Sequence, residues 1–234
     1  MDRFIKGLEE LNIQLKDEQL HKLLRYYELL VERNKVMNLT AITEFEEVVI
    51  KHFLDSLSLV KVIVPKAERL LDMGTGAGFP GIPLKIAFPS IKVVLIDSLS
   101  KRIHFLEEVI QELELKEIQA LHGRAEDYGR EKGFRESFDL CVSRAVAKLS
   151  VLSEYCLPYV KIGGYFIPYK SGLIHEEVIE ASRAIGVLGA EIVRSEKFLL
   201  PGTEIDRSLI LIHKTKGTPI KYPRSAGKPS KEPL

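Results

Sequence analysis

A cluster of glycines behind a short apolar run is the part of this sequence best suited to chemistry. The stretch LLDMGTGAGFPGIPL, residues 70–84, contains Gly74, Gly76, Gly78 and Gly81. Glycines let a backbone approach a ligand closely and adopt conformations that side chains disfavour. We therefore expect a ligand-binding turn between a strand and a helix, the alternative being a tight turn that binds nothing.

Two cofactor classes fit these glycines. Gly76, Gly78 and Gly81 match the GxGxxG pattern of dinucleotide sites, which is weak evidence when it stands alone. Asp72, two residues before Gly74, completes a spacing that resembles motif I of class I S-adenosylmethionine-dependent methyltransferases. An acid at this position repels a pyrophosphate but attracts the cationic amino group and sulfonium of S-adenosylmethionine. We expect S-adenosylmethionine, with a nicotinamide-dependent oxidoreductase as the alternative.

Further polar residues follow the later predicted strands. Asp97 ends the second strand and is expected to accept hydrogen bonds from ribose hydroxyls. Glu126, with the backbone of Ala125, follows the third strand and suits the edge of an adenine. Arg144 ends the fourth strand. Because the carboxyl ends of parallel strands meet at one edge of a sheet, we expect all of these residues on one face of the protein.

The elements that must position these residues alternate between strand and helix from residue 68 onward. Such alternation, with nearly continuous apolar strands, predicts an α/β fold with a doubly wound, mostly parallel, seven-stranded sheet. The last two strands follow each other without a helix and are expected to be antiparallel. Predicted strands span 68–73, 92–97, 118–122, 138–143, 164–170, 191–199 and 207–214, and predicted helices span 3–35 (as two helices), 44–62, 81–88, 100–114, 147–160 and 174–188.

Composition narrows the class of protein. Of 234 residues, 45% are hydrophobic and 29% are charged, which is typical of a globular protein. No apolar stretch approaches the roughly 18 residues of a membrane span. The two cysteines, Cys141 and Cys156, lie in predicted core elements, so we expect neither a disulfide nor a metal site, and a cytoplasmic location. His52 and Asp55, three residues apart, are expected to be structural or to face RNA.

The chain divides into three parts by pattern. Residues 1–62 form a helical extension, residues 63–215 form the Rossmann-like domain, and residues 216–234 form a basic tail that we expect to be flexible. Residues 214–234 contain six Lys or Arg and one acid, Glu232. Such a segment suits a polyanion, the alternative being a solubilising terminus.

Several longer strings carry a more specific similarity. LLDMGTGAGFPGIPLKI, LIDSLSKRIHFL, GRAED and FDLCVSRAVAKL stand in this order, with NLTAI and KHFLDSL upstream. Together they resemble the RsmG (GidB) family, bacterial methyltransferases that modify N7 of a guanosine in 16S ribosomal RNA. The resemblance runs from about residue 20 to the tail. It implies cofactor contacts at Gly74, Phe79, Ala125, Glu126 and Arg144.

The resemblance also implies a mechanism and a partner. Guanine N7 is an in-plane lone pair without a proton, so it can attack the sulfonium methyl group directly and needs no general base. Arg144 can contact the cofactor, guanine O6 or a phosphate, the alternative being an ion pair that holds Asp139 or a neighbouring loop. Lys148, Lys170 and Arg207 are candidates for RNA phosphates.

The expected substrate is 16S ribosomal RNA, within a small ribosomal subunit or an assembly particle. Other readings are a non-catalytic RNA-binding module, which the intact cofactor motif disfavours, and a methyltransferase with another acceptor. The sequence leaves the oligomeric state open.

Overall fold

The amino-terminal part of the protein is entirely helical. The computed structural model describes residues 2–144, 147–172 and 174–234. Two helices separated near Asn12 are confirmed, and the helix predicted over 44–62 is a continuous helical stretch that contains a π-helical segment. π-segments inside helices are often found at functional sites. The elements are α1 (Asp2–Glu10), α2 (Asp17–Met37), α3 (Phe45–Val48), the π-segment Val49–Leu54, α4 (Asp55–Leu57) and a 3₁₀ turn at Ser58–Lys61.

A seven-stranded sheet follows, as predicted. The fifth strand begins four residues earlier than expected, because the preceding helix ends sooner and gives way to a 3₁₀ turn at Leu157–Tyr159. Ala145 and Val146, within the string FDLCVSRAVAKL, lie outside the described residues. The elements are β1 (Arg69–Met73), α5 (Gly81–Ala87), β2 (Lys92–Asp97), α6 (Ser100–Glu112), β3 (Ile118–His122), α7 (Ala125–Tyr128), β4 (Phe138–Ser143), α8 (Leu149–Cys156), β5 (Val160–Lys170), α9 (His175–Val187), β6 (Ala190–Leu199), β7 (Asp206–Lys214) and α10 (Lys228–Lys231).

The strand order determines where a ligand can bind. The sheet runs β3-β2-β1-β4-β5-β7-β6, with β1 to β5 parallel and β7 antiparallel to both of its neighbours. The chain leaves β1 toward β2 and β3 on one side and later returns to β4 on the other. In such sheets the crevice opens beyond the carboxyl ends of the strands where the order diverges. That point lies between β1 and β4.

Both faces of the sheet are covered by apolar side chains. Successive residues of a strand point to opposite faces, and Leu70 and Leu71 of β1 accordingly belong to two different core clusters. The cluster on the Leu70 side includes the amino-terminal helices, through residues such as Tyr26 and Phe53. The cluster on the Leu71 side includes α8, α9 and Tyr222 from the tail. Because the amino-terminal helices share a core with the sheet, they are fixed relative to its ligand-binding edge.

The carboxyl-terminal tail packs against the body of the protein. Tyr222 is buried, and the Arg224 guanidinium pairs with the buried carboxylate of Glu154. Lys214, the first basic residue of the segment, is fully buried and donates to the carbonyl of Leu157 at 2.7 Å. Its burial lowers the pKa of the Lys214 ammonium to about 8. Two of the six basic residues therefore serve internal contacts, and the predicted flexibility of residues 216–234 stays a prediction.

Two other sequence-based expectations concern the helices and cysteines. Across the described ranges, no helix is long and apolar enough to cross a membrane. Cys141 and Cys156 are both buried and free, in β4 and α8, as expected for packing residues.

Candidate functional site

A cleft of about 430 Å³ opens beyond the carboxyl ends of β1, β2 and β3. We call it the first cleft. It brings together four of the predicted cofactor residues, Gly74, Asp97, Ala125 and Glu126. Its lining residues are Met73, Gly74, Ile96, Asp97, Ser98, Arg102, Gly123, Arg124, Ala125, Glu126, Ser143, Ala147, Leu152, Tyr155, Gly227 and Ser230.

The three glycines of the motif have different roles. Gly74 and Gly76 have φ angles of 70° and 63°, and a Cβ at either would meet nothing within 4 Å. Glycine is therefore needed at these two positions for the backbone conformation. The space beside the backbone is open. At Gly78 a Cβ would lie 2.6 Å from Ile82 and from the Tyr26 hydroxyl. Gly78 thus allows close packing beneath the loop.

Asp72 holds the glycine loop from below. Its Oδ2 accepts hydrogen bonds from Thr75 Oγ1 at 2.7 Å and from the Gly81 amide at 2.8 Å. Its Oδ1 is buried, and no described residue lies within hydrogen-bond distance of it. Burial raises the pKa of Asp72 to about 6, which the two hydrogen bonds and Arg144 only partly oppose. A cationic group bound at this loop would stabilise the ionised carboxylate.

Asp97 ends β2 and organises the wall of the first cleft. Its Oδ2 accepts from the Gly76 amide at 2.9 Å, and its Oδ1 accepts from the Leu99 amide at 2.9 Å. The Arg102 guanidinium pairs with Oδ2 at 3.1 Å. Arg102 Nη1 also donates to Oδ1 at 3.4 Å, so protein donors already use the roughly four acceptor positions of this carboxylate, and a ligand hydroxyl would replace the long Arg102 contact. Arg102 was not singled out from the sequence, although its place one turn into α6 could have indicated it.

Glu126 lies at the far side of the same cleft. Its Oε1 accepts a hydrogen bond from the Gly227 amide at 2.9 Å, so the tail reaches this carboxylate. The Ala125 carbonyl accepts from the Tyr159 hydroxyl. Tyr155 also lines the cleft and is hydrogen-bonded to Ser230 at 2.7 Å. No sequence pattern indicated Tyr155, which lies in α8. Gly227 and Ser230 lie in the string YPRSAGKPSKEPL, which resembles the ending of many RsmG family members, but that resemblance assigned them no role.

A second cleft, of about 590 Å³, holds the remaining predicted residues with polar side chains. Arg144, Lys148, Lys170 and Arg207 all line it, whereas none of them lines the first cleft. The two clefts meet at the segment after β4. Ser143 and Ala147 line the first cleft. The lining residues of the second cleft are Ile42, Lys51, His52, Asp55, Arg144, Lys148, Tyr169, Lys170, Ser171, Glu177 and Arg207.

Asp55 is the centre of the second cleft. Its side chain is 2% exposed, and it pairs with Arg144 Nη1 at 3.0 Å through Oδ2 and with Arg207 Nε at 2.9 Å through Oδ1. The ion-pair partner of Arg144 is therefore Asp55 and not Asp139, which pairs with Lys161. Asp55 belongs to the amino-terminal extension, so this extension sets the position of both guanidinium groups.

His52 lies beside this ion-pair cluster. Its ring stacks on Phe79 with 4.4 Å between centroids, and its Nε2 is 2.9 Å from the Thr40 hydroxyl. Arg144 lies over the other ring of this stack, with its guanidinium carbon 5.1 Å from the centre of Phe79. Burial and the charge of Arg144 lower the pKa of His52 to about 4, so the imidazole is neutral at pH 7. Phe79 is therefore a buried support for both polar side chains.

The lysines of the second cleft differ in exposure. The Lys170 side chain is 9% exposed and donates to Glu177 at 2.6 Å and to the Ala147 carbonyl at 2.7 Å. Lys148, at the start of α8, is exposed. Within residues 2–144, 147–172 and 174–234, no three His, Cys, Asp or Glu side chains are grouped to hold a metal ion.

The class of protein follows from the fold and from the place of the first cleft. A SAM-dependent methyltransferase from Aquifex aeolicus superposes with a TM-score of 0.55 at 18% identity, covering 75% of this chain and 96% of that one. M. jannaschii TYW2, solved in complex with AdoMet, gives 0.54 at 17% identity, covering 66% and 72%. These likenesses establish the Rossmann-like methyltransferase fold with a helical amino-terminal extension.

The family is established by sequence. The family model for GidB, described as rRNA small subunit methyltransferase G, matches residues 19–207. A relative named Ribosomal RNA small subunit methyltransferase G from Lachnoclostridium phytofermentans is 59% identical, covering 99% of this chain and 96% of the relative. A relative of the same name from Alkaliphilus oremlandii is 54% identical, covering 98% and 96%. The chain belongs to the GidB family of rRNA small subunit methyltransferase G proteins.

Proposed function

We propose that this protein transfers a methyl group from S-adenosylmethionine to N7 of a guanosine in 16S ribosomal RNA. The expected acceptor is a small ribosomal subunit or an assembly particle in the cytoplasm. The observation that carries the proposal is the meeting of two clefts at one short segment. Ser143 and Ala147 line the first, and Arg144 and Lys148 line the second. A methyl donor bound in the first cleft and a methyl acceptor bound in the second would therefore lie next to each other.

The first cleft has the hydrogen-bonding groups that S-adenosylmethionine needs. Asp97 would accept hydrogen bonds from the ribose hydroxyls, and Glu126 with the Ala125 backbone would bind the adenine edge. Gly74 and Gly76 leave open space for the amino acid portion, beside the buried carboxylate of Asp72. Bound there, S-adenosylmethionine supplies an electrophilic methyl group on a cationic sulfur. The buried carboxylates of Asp72 and Asp97 at this cleft suit a cationic ligand better than a pyrophosphate.

The second cleft would receive the guanine and its flanking phosphates. Arg144, Lys148 and Arg207 offer donors for phosphate oxygens and for guanine O6. Lys170 would act chiefly by holding Glu177 and the segment at Ala147. Arg144, at the junction, is the residue that we propose to contact both the cofactor and the base.

Direct attack by N7 requires no side chain to take a proton. The residues then act by alignment, which can supply on the order of 7–11 kcal/mol of the barrier. Asp55 contributes by fixing the Arg144 and Arg207 guanidinium groups, and the His52–Phe79 stack supports Arg144 from one side. A rigid cation at the junction orients the base without a general base.

The proposal is tested by methyl transfer to a defined acceptor. Purified protein is incubated with methyl-labelled S-adenosylmethionine and small subunits that lack 7-methylguanosine, and the digested RNA is analysed for that nucleoside. We expect label in 7-methylguanosine at one site and a rate at least about tenfold lower for Arg144→Ala. Arg194→Ala, which removes an arginine of β6 outside both clefts, is the matched control. Binding of S-adenosylmethionine without label in 7-methylguanosine would overturn the acceptor assignment.

A further inference from the structure

The carboxyl-terminal tail returns to the first cleft and forms part of its wall. Gly227 and Ser230 line the cleft, and the Gly227 amide donates to Glu126 Oε1 at 2.9 Å. The Ser230 hydroxyl is 2.7 Å from the Tyr155 hydroxyl, and Tyr155 lines the same cleft. Residues about 100 positions apart in the chain, Glu126 and Gly227, are thus joined at the proposed adenine end.

The tail is anchored just before these contacts. The Arg224 backbone amide donates to Glu154 Oε1 at 2.8 Å, and its guanidinium donates to both oxygens, with Nη2 to Oε2 at 2.6 Å. Glu154 is 1% exposed, and the Arg224 guanidinium is its ion-pair partner. From the other side, Arg135 donates to the carbonyls of Tyr222 at 2.8 Å and Thr218 at 2.6 Å. The segment is held by charged hydrogen bonds at several points, which fixes the place of Gly227.

We propose that residues 222–231, here called the C-terminal strap, complete the adenine end of the cofactor site. The inference rests on the proposed function, because it assigns Glu126 to the adenine. The Gly227 amide fixes one oxygen of the Glu126 carboxylate and so orients the other for a ligand. Among the described residues, Gly227 supplies the hydrogen bond that Glu126 accepts. Gly227 is then a positioning residue, which acts through Glu126, and Ser230 orients Tyr155 in the same way.

The strap also explains a feature of the sequence that the methyltransferase fold does not require. On charge alone, the basic tail suits either a polyanion or a solubilising terminus. In the structure, Arg224 is committed to Glu154, and the tail contacts the cleft through a backbone amide and a hydroxyl. These neutral groups can shape a nucleoside pocket without adding positive charge next to a cationic ligand. Lys228 and Lys231 of the strap are exposed, as is Lys221 just before it.

The sharpest test changes the strap's backbone without changing any side-chain contact. Gly227 has φ +79°, and a Cβ there would meet nothing within 4 Å, so Gly227→Val acts through backbone strain. Gly133 has φ +95° and the same open surroundings, and it lies beside the start of β1, at the edge opposite the clefts. Gly133→Val is therefore the matched control. The measurement is the Kd for S-adenosylmethionine by calorimetry, together with unfolding of the ligand-free proteins.

We expect Gly227→Val to raise the Kd for S-adenosylmethionine about tenfold or more, and Gly133→Val to leave it within twofold. The Kd for 5′-methylthioadenosine, which lacks the amino acid portion, should rise by the same factor, because the strap acts on the adenosine end. In a Glu126→Gln background, Gly227→Val should add little, since the oriented carboxylate is already lost. Ser230→Ala should raise both Kd values by a smaller factor without affecting folding.

The outcomes separate this inference from the proposed function. If the unmodified protein binds S-adenosylmethionine and both Gly227→Val and Ser230→Ala bind it equally well, the strap has no role in the site. If Gly227→Val weakens S-adenosylmethionine but not 5′-methylthioadenosine, the strap does not act at the adenine end and the inference is wrong. If the unmodified protein does not bind S-adenosylmethionine, the proposed function itself fails.

Discussion

The two clefts are built from the chain in different ways. Most of the first cleft comes from consecutive strand ends, in the order Gly74, Asp97 and Glu126. The centre of the second cleft joins Asp55 of the amino-terminal extension to Arg144 after β4 and Arg207 in β7. The parallel sheet alone creates a cofactor edge. The second cleft forms where an added helical layer, which contributes Asp55, packs across that edge.

The clefts also differ in how their charges are balanced. In the first cleft, the hydrogen-bond partners of Asp72 among the described residues are a hydroxyl and a backbone amide, whereas Asp97 accepts from two backbone amides and pairs with Arg102. A cationic ligand would therefore gain most from the Asp72 carboxylate. In the second cleft, Arg144 and Arg207 are cations held by one buried acid, Asp55. Both guanidinium groups are oriented by Asp55, which also compensates part of their charge. This arrangement favours alignment of a base over strong attraction to any polyanion.

The largest expected effect concerns the first cleft. Asp97→Asn removes a charge that orients the Gly76 and Leu99 amides and pairs with Arg102. A hydrogen bond to a charged group contributes about 1.5–3 kcal/mol, so we expect the Kd for S-adenosylmethionine to rise by about 100-fold. The Kd is measured by calorimetry. The KM for small subunits should change little at saturating cofactor.

Asp17→Asn, at the exposed start of α2, is the control for this substitution and should leave both quantities unchanged. A rise in the KM for subunits as large as the rise in the cofactor Kd would show that the two clefts are not separate sites.

A smaller effect is expected from pH. Because burial raises the pKa of Asp72 to about 6, the carboxyl is mostly protonated at pH 5 and mostly ionised at pH 7. A cationic ligand binds better to the ionised form, so its binding releases a proton below pH 6. We expect the Kd for S-adenosylmethionine to rise about tenfold from pH 7 to pH 5. Calorimetry at several pH values in this range measures it.

The comparison ligand for the pH series is 5′-methylthioadenosine, which has neither the amino group nor the sulfonium charge. Its Kd should stay nearly constant between pH 5 and pH 7. Asp72→Asn should abolish the pH dependence for S-adenosylmethionine. An unchanged pH dependence in Asp72→Asn would show that another group is responsible.

The first cleft could be predicted from sequence because its chemistry follows local patterns. Asp72 and the glycines lie within seven residues, and Asp97 and Glu126 each follow a recognisable strand. The seven strands were predicted because short apolar runs alternate along the chain with segments whose apolar residues have helical spacing. The early start of β5 at Val160 was missed, because the helix predicted over 147–160 extends past the observed end of α8 at Cys156.

The basic residues of the second cleft were expected near one face, and they all line it, but its ion pairs and the contacts of the strap could not be predicted, because they join residues distant in sequence. The alternative partner proposed for Arg144 was Asp139, whereas the structure pairs it with Asp55, 89 residues away. Lys170 was considered as a free cation, but Glu177 accepts its hydrogen bond. Counting basic residues in the tail could not reveal that Lys214 is buried or that Arg224 pairs with Glu154. The amino-acid composition shows how many charged residues a segment has, but the tertiary structure decides which groups they pair with.

The central claim is that the first cleft binds the cofactor and the second cleft binds the RNA. The most direct test is to measure, in the same preparations of Arg207→Ala, the Kd for S-adenosylmethionine and the KM for small subunits lacking 7-methylguanosine. Arg194→Ala, which loses a β6 guanidinium that donates to the Val62 carbonyl at 3.1 Å, is the control. We predict a KM about fivefold to tenfold higher for Arg207→Ala, with the cofactor Kd unchanged within twofold. An unchanged KM with a weakened cofactor would contradict this division.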